Sequence, residues 1–163
     1  MLEVGQKAPA FDLRDQDGQT HSLDGYRGKW LVVYFYPRDD TPGCTKEACS
    51  FRDAYGDLAA LDAAVVGVSA DDALAHRKFA QKYDLNFPLL ADPDKVMLEA
   101  YGAWVEKQMY GKRVMGVQRV TYIIDPDGKV AKTWPKVTAE GHGDEVREAL
   151  AELASASAHT KAQ

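Results

Sequence analysis

The chain contains few cysteines, no cluster of basic residues and no long apolar run. Its formal net charge is -5, and its Lys and Arg residues are spread along the chain, which excludes the basic stripe of a nucleic-acid-binding protein. No apolar run reaches the roughly 18 residues of a membrane span, and no basic stretch followed by an apolar run opens the sequence. We therefore expect a cytoplasmic protein with no nucleic-acid partner and no membrane contact.

Only two cysteines are present among 163 residues. Ordinary cysteine pairs are kept reduced inside cells, so a stabilising disulfide explains these two poorly. We expect any pairing between them to be transient and catalytic. The four histidines share no metal-ligand spacing with either cysteine, which argues against a zinc site and against a Cys–His catalytic pair.

The length fits a single domain over residues 1–163, with a frayed tail over residues 155–163. Two unbroken apolar runs, residues 30–36 and 64–69, flank a helical stretch over 44–60. Strand, helix and strand at this spacing predict a parallel crossover. The order of elements predicts an α/β fold with a central mixed sheet flanked by helices.

The remaining elements complete this prediction. Turn residues separate two pairs of short runs, which predicts a hairpin at each pair, and the N-terminal hairpin is an addition to the α/β core. The predicted elements are strands over residues 11–13, 20–23, 87–91, 120–124 and 129–134, and helices over residues 71–83, 94–101 and 144–154.

Cys44 lies where the predicted central strand passes into the first helix, the place where α/β folds hold their ligands. A cysteine in the first turn of a helix meets free backbone N–H groups and the positive end of the helix dipole, and both favour the thiolate. Thr41 can offer a hydroxyl to the sulfur or to a bound peroxide. Arg119, beside a predicted strand, is our candidate for a cation that stabilises a departing oxygen.

The spacing of Cys44 and Cys49 sets a geometric test. Five residues of an α-helix rise about 7.5 Å, which places the two Cα atoms roughly 8.6 Å apart. A disulfide tolerates at most about 7 Å. We therefore hypothesise that the first turns of the helix unwind after Cys44 is oxidised to a sulfenic acid, and that Cys49 then attacks it.

The sequence resembles the peroxiredoxins, whose pattern of Pro, three residues, Thr or Ser, two residues and Cys is met by Pro37, Thr41 and Cys44. The longer string YPRDDTPGCTKEAC, with Gly43 before the cysteine and Glu47 after it, is similar to the bacterioferritin comigratory protein (PrxQ) subfamily. In that subfamily a resolving cysteine lies five residues after the peroxidatic one, as Cys49 does.

The resemblance implies a thioredoxin-like fold and an atypical 2-Cys peroxiredoxin that reduces hydrogen peroxide and organic hydroperoxides. It implies a Cys44–Cys49 redox disulfide, recycling by thioredoxin or a related dithiol reductant, a catalytic Arg119, and no metal, haem or flavin cofactor. Pro37, Gly43 and Glu47 take supporting positions. Because the resolving cysteine lies in the same chain, catalysis needs no dimer, and we expect a monomer.

Other interpretations stay open at this point. A thiol–disulfide oxidoreductase also uses a cysteine at a helix start, although such enzymes place their cysteines two residues apart. A redox-sensing or chaperone-like module could use the same unwinding to expose apolar surface to a partner. Arg119 could form a surface ion pair, and Glu47 could simply complement the helix dipole.

Overall fold

The predicted strands and helices occur in the predicted order, and one further pair of strands stands between the third helix and the last predicted hairpin. The computed structural model describes residues 1–162, with the backbone alone for Met109 and for residues 157–162. The elements are β1 (Asp12–Arg14), β2 (Thr20–Ser22), β3 (Trp30–Phe35), α1 (Pro42–Ala60), β4 (Ala63–Ser69), α2 (Ala73–Tyr83), β5 (Leu89–Ala91), α3 (Val96–Ala100), β6 (Trp104–Met109), β7 (Lys112–Val117), β8 (Val120–Ile124), β9 (Val130–Trp134) and α4 (His142–Ala162).

A five-stranded mixed sheet with the order β5-β4-β3-β8-β9 forms the centre of the fold. Strands β3, β4 and β5 are parallel, whereas β8 is antiparallel to both β3 and β9. Every residue of β3 is buried, because an apolar strand in the middle of the sheet is covered on both faces. The predicted mixed sheet is confirmed, and β1 pairs with β2 in the predicted N-terminal hairpin.

Helices cover both faces of the sheet. On one face α1, α2 and α4 share an apolar cluster with Tyr34 of β3, and they contribute Phe51, Phe79 and Leu150 respectively to this cluster. On the other face α3 and the N-terminal segment pack against β3 and β8. Within residues 1–162, none of the helices combines the length and the apolarity that a membrane span requires. This packing fixes the start of α1 near the carboxyl end of the central strand β3.

Strands β6 and β7 form a hairpin that the sequence did not lead us to predict. They pair in register around a turn at Tyr110 and Gly111, both of which have positive φ. The hairpin carries many charged residues and no clean alternation of apolar and polar residues, so the usual strand signal is weak. It has a functional consequence, because it ends at Val117, two residues before Arg119.

Several predicted boundaries were wrong by one or two residues, and the last one by more. Helix α1 begins at Pro42, the favoured first position of a helix, and not at Cys44. Helix α4 continues to Ala162, so residues 155–162, which we expected to fray, are helical. Gln163 lies outside the described residues.

Candidate active site

Cys44 sits in the first turn of α1 with its side chain buried. The residue before the helix, Thr41, is extended, and the first intrahelical hydrogen bond runs from Thr45 N to Thr41 O. The N–H groups of Gly43 and Cys44 therefore precede the helical ladder and point out of the helix start. Cys44 therefore lies among free backbone N–H groups in the first turn of the helix.

Arg119 reaches the cysteine from the loop between β7 and β8. Its Nη2 donates to the Cys44 sulfur at 3.2 Å, and its Nη1 donates to Glu47 Oε1 at 2.9 Å. One planar guanidinium thus links a buried sulfur to a buried carboxylate, which a lysine cannot do. The structure brings Cys44, Glu47 and Arg119 together. Arg119 does form an ion pair, but its partner is fully buried and its own side chain is only 22% exposed, so the pair does not lie on the surface.

The carboxylate of Glu47 is fully buried. Burial raises its pKa to about 7, although the charge and the hydrogen bond of Arg119 act in the opposite direction. Its second oxygen, Oε2, has no hydrogen-bond partner among the described residues. Because Glu47 lies in the second turn of α1 and faces Arg119, it does not serve the helix dipole at the first turn. It is placed to orient the guanidinium.

Gly43 is the position at which the backbone lets Arg119 approach the sulfur. A Cβ at this residue would lie 2.6 Å from Arg119 Nη2. The guanidinium must therefore pass over a residue that has no side chain. Space for Arg119 is therefore the physical reason for glycine before Cys44. The backbone angle is not the reason, because Gly43 is not among the residues with positive φ.

We expect Gly43→Ala to slow the reaction of Cys44 with hydrogen peroxide by about tenfold to a hundredfold, because a displacement of roughly 1 Å at a reacting group has effects of this size. Stopped-flow measurement of the reduced protein provides the rate constant. The matched control is Gly56→Ala in the same helix, where a Cβ meets nothing within 4 Å. The control should keep the wild-type rate; equal rates for both variants contradict the expected role of Gly43.

Thr41 and Pro37 occupy the loop before α1. The Thr41 hydroxyl donates to the carbonyl oxygen of Arg38 at 3.0 Å, so its single proton is not directed at the Cys44 sulfur in this structure. Its oxygen keeps lone pairs that can accept a hydrogen bond from the O–H of a peroxide. Pro37 is exposed and follows the end of β3, where it limits the conformations of the loop.

Cys49 lies about 140° around the axis of α1 from Cys44, since five residues of a helix turn this far past a full revolution. Both cysteines are free, and Cys49 is partly exposed where Cys44 is buried. It lines a surface pocket of about 380 Å³ together with Asp53, Glu140 and Asp144. Because α1 is continuous from Pro42 to Ala60, the structure does not bring the two sulfurs together in this form.

Lys107 is a site residue that the sequence did not reveal. It extends from β6, donates from Nζ to the carbonyl oxygen of Val117, and lies close enough to Arg119 and Cys44 for their charges to act on it. Burial and the charge of Arg119 lower its pKa, and the charge of Cys44 acts in the opposite direction. Only recognition of the hairpin could have placed this lysine within range of the charges of Arg119 and Cys44.

One cluster in the described part of the chain has the donor set for a metal ion. Donor atoms of Asp39, Asp71 and His76 all lie within 4.8 Å of one another. These atoms already take part in hydrogen bonds within the protein, including one of 2.6 Å between His76 Nδ1 and Asp39 Oδ2. Hydrogen bonds within the protein therefore account for why these three side chains lie together.

The raised pKa of Glu47 gives a pH prediction. The carboxylate that holds Arg119 is charged above about pH 7 and becomes neutral as the pH falls through that value. The charge-assisted bond to Arg119 weakens on protonation. In the wild type, the peroxide rate constant should therefore fall on acidification as Glu47 becomes protonated at about pH 7. In Glu47→Gln we expect this fall near pH 7 to be absent; pH profiles of identical shape contradict this role.

Comparison with known proteins agrees with this geometry. The sequence matches the AhpC/TSA family over residues 4–133. It is 44% identical to the Bacillus subtilis Peroxiredoxin Bcp, covering 93% of this chain and 97% of that protein, and 40% identical to Escherichia coli Peroxiredoxin Bcp, covering 94% and 98%.

Solved structures give the same result. The bacterioferritin comigratory protein of Xanthomonas campestris superposes with a TM-score of 0.88 at 36% identity, covering 93% of this chain and 99% of that chain. A cysteine-to-serine mutant of PrxQ from Xylella fastidiosa gives a TM-score of 0.90 at 32% identity, covering 94% and 98%. The fold is that of the thioredoxin-like peroxiredoxins.

A cysteine at a helix start, hydrogen-bonded to an arginine in a thioredoxin-like fold, agrees with the thiol peroxidase activity that membership of the peroxiredoxins implies. The chain belongs to the AhpC/TSA family of peroxiredoxins, within the bacterioferritin comigratory protein (PrxQ) group.

Proposed function

We propose that the chain reduces hydrogen peroxide and organic hydroperoxides to water and alcohols through Cys44 and Cys49. The contact of Arg119 with the Cys44 sulfur at the start of α1 is the observation that carries this proposal. Family membership supports a peroxide substrate and a dithiol reductant. The alkyl peroxide reduction activity attributed to the Xanthomonas campestris relative supports organic hydroperoxides as substrates.

In the first step the Cys44 thiolate attacks one peroxide oxygen. An S–O bond forms and the O–O bond breaks. The departing oxygen takes one proton from the surrounding water, equal to the proton that Cys44 gave up on ionising, and leaves as water or alcohol. The sulfur is oxidised to a sulfenic acid. Arg119 is the fixed cation for the charge that develops on the departing oxygen, and the N–H groups of Gly43 and Cys44 add oriented dipoles.

In the second step Cys49 attacks the Cys44 sulfenic acid. An S–S bond forms, the S–O bond breaks, and the oxygen leaves as water. The two sulfurs stand on an intact helix in the reduced form, so the first turns of α1 unwind for this step. A dithiol donor, thioredoxin or a similar protein, then supplies two electrons and two protons and returns both cysteines to thiols.

Further parts of the proposal concern the setting of this chemistry. We propose an atypical 2-Cys enzyme that acts as one domain over residues 1–163, as a monomer, and in the cytoplasm. A resolving cysteine in the same chain makes a partner subunit unnecessary, and a compartment with dithiol donors is needed for the cycle. The physiological role is antioxidant defence and redox homeostasis.

The direct test is an assay of peroxide consumption with thioredoxin, thioredoxin reductase and NADPH. We expect sustained turnover with hydrogen peroxide and with a small alkyl hydroperoxide. An assay without thioredoxin is the control and should stop after one equivalent. Reduced protein that consumes peroxide only at the rate of an ordinary free thiol contradicts the proposal.

A further inference from the structure

A buried histidine outside the cysteine site contacts the loop that precedes α1. His76 lies on α2, and its side chain has no exposed surface. Its Nδ1 lies 2.6 Å from Asp39 Oδ2, and its Nε2 lies 2.9 Å from the carbonyl oxygen of Leu90 in β5. The imidazole therefore bridges the loop before α1 and the edge strand of the sheet.

The partners of the ring fix the protons. A carbonyl oxygen only accepts, so His76 Nε2 carries the hydrogen of the bond to Leu90. One further proton lies between His76 Nδ1 and Asp39 Oδ2. The Tyr36 hydroxyl donates to the other Asp39 oxygen at 2.5 Å. Burial, followed by the charge of Asp39, holds the pKa of Tyr36 well above its ordinary value, so this donor keeps its proton.

The backbone of the loop is held by the same cluster. Asp39 N donates to Asp71 Oδ2 at 2.9 Å, and the Ser69 hydroxyl donates to the same oxygen at 2.7 Å. Asp39 is therefore bound through both its side chain and its backbone. It lies five residues before Cys44 in the segment that must move when α1 unwinds. We call Tyr36, Asp39 and His76 the loop clamp.

We propose that the loop clamp fixes the upstream boundary of the unwinding that accompanies oxidation, and that His76 is thereby a positioning residue for Cys44. This inference rests on the proposed chemistry of Cys44 and Cys49. With the clamp in place, only the chain after Asp39 is released when the first turns of α1 melt. Without it, the released segment extends back toward the end of β3.

The clamp acts on the balance between the wound and the unwound forms. A longer released segment gains more conformational entropy, so loss of the clamp favours the unwound form. In the wound form the loop is still held at both ends by β3 and α1, so loss of the clamp gives it less conformational entropy there. Because the disulfide requires the unwound form, loss of the clamp should stabilise the disulfide relative to the dithiol.

The test compares wild type, His76→Gln and Asp39→Asn by hydrogen exchange and by redox titration. In the oxidised wild type we expect loss of amide protection to begin after Asp39; in both variants it should extend back to Tyr36. The equilibrium constant for reduction should fall about tenfold, which is about 30 mV for a two-electron couple. A merely structural loss of stability that affects both redox forms equally leaves this potential unchanged.

Lys82→Met is the matched control. Lys82 also holds this loop from α2, at 2.9 Å from Asp40 Oδ2, but both side chains are exposed, so the pair should contribute little. We expect the control to keep the wild-type exchange boundary and potential. If His76→Gln fails to fold, Asp39→Asn, on the loop itself, decides the question.

Clamp variants that match Lys82→Met in both measurements overturn the inference. A wild-type protein that forms no disulfide contradicts the proposed function itself, and the clamp then has no unwinding to limit. A wild-type protein that cycles normally beside unaltered clamp variants contradicts the clamp alone.

Discussion

Cys44→Ser should abolish peroxide turnover, while Cys49→Ser should permit one oxidation and then stop. A serine hydroxyl at the helix start is neither ionised nor strongly nucleophilic at neutral pH, so the first variant falls to the uncatalysed rate. The second keeps Cys44 and Arg119 in contact but has no thiol to displace water from the sulfenic acid. The coupled assay with thioredoxin, together with the mass of the oxidised protein, measures both effects.

The two cysteine variants separate the roles that the proposal gives to the sulfurs. In Cys49→Ser, a mass gain of one oxygen on Cys44 marks the stalled sulfenic acid, and further oxygen marks overoxidation. Sustained thioredoxin-dependent turnover by Cys49→Ser contradicts Cys49 as the resolving cysteine. If Cys44→Ser turns over peroxide as fast as the wild type, Cys44 is not the residue that reacts with peroxide.

Arg119→Met should lower the rate constant for hydrogen peroxide by on the order of a hundredfold, the usual effect of removing one positioned donor to a developing charge. Arg119→Lys should recover only part of the rate, because an ammonium group keeps the charge but cannot bond Cys44 and Glu47 with one planar fork. Stopped-flow kinetics of the reduced proteins measures both.

Arg113→Met is the matched control for the arginine variants. Arg113 lies on the β6–β7 hairpin, and its side chain is 75% exposed beside Glu106. Its loss removes one positive charge from the same region without touching the sulfur, and the rate should stay within about twofold of wild type, since exposed pairs have small effects. An Arg113 variant as slow as Arg119→Met assigns the effect to net charge and not to the contact.

The central part of the fold was predictable because its signals are local. An unbroken apolar run gave β3, and the turn between β8 and β9 carries the residues that such turns need. The predicted helical stretch over 44–60 placed Cys44 near the start of α1, which begins two residues earlier at Pro42, and the family resemblance singled out Thr41 and Arg119. These features depend on residues close together in the sequence or on a short motif.

The rest depended on contacts that the sequence does not display. The β6–β7 hairpin has a largely polar pattern, so it was missed, and Lys107 was missed with it. His76 gave no signal as a loop-binding residue, because its partners Asp39 and Leu90 lie 37 and 14 residues away in the chain. Helix α4 continues to Ala162. Residues 155–162 show only weak apolar periodicity, so their sequence did not predict a helix.

Gly43 shows how a motif residue acquires a physical meaning only in three dimensions. In the sequence it is part of a family string. In the structure it leaves the space through which Arg119 Nη2 approaches the sulfur. Glu47 is a similar case, since its buried position facing Arg119 replaces the simpler interpretation in which it complements the helix dipole.

The unwinding of α1 is the central claim, and hydrogen exchange across residues 41–51 tests it most directly. The protein is compared in the reduced form and after one equivalent of hydrogen peroxide, with the Cys44–Cys49 disulfide identified in the same sample by peptide mass. We predict that the amides of this segment lose most of their protection in the disulfide form, while those of β3 keep theirs. A disulfide formed with unchanged protection over residues 41–51 contradicts the account.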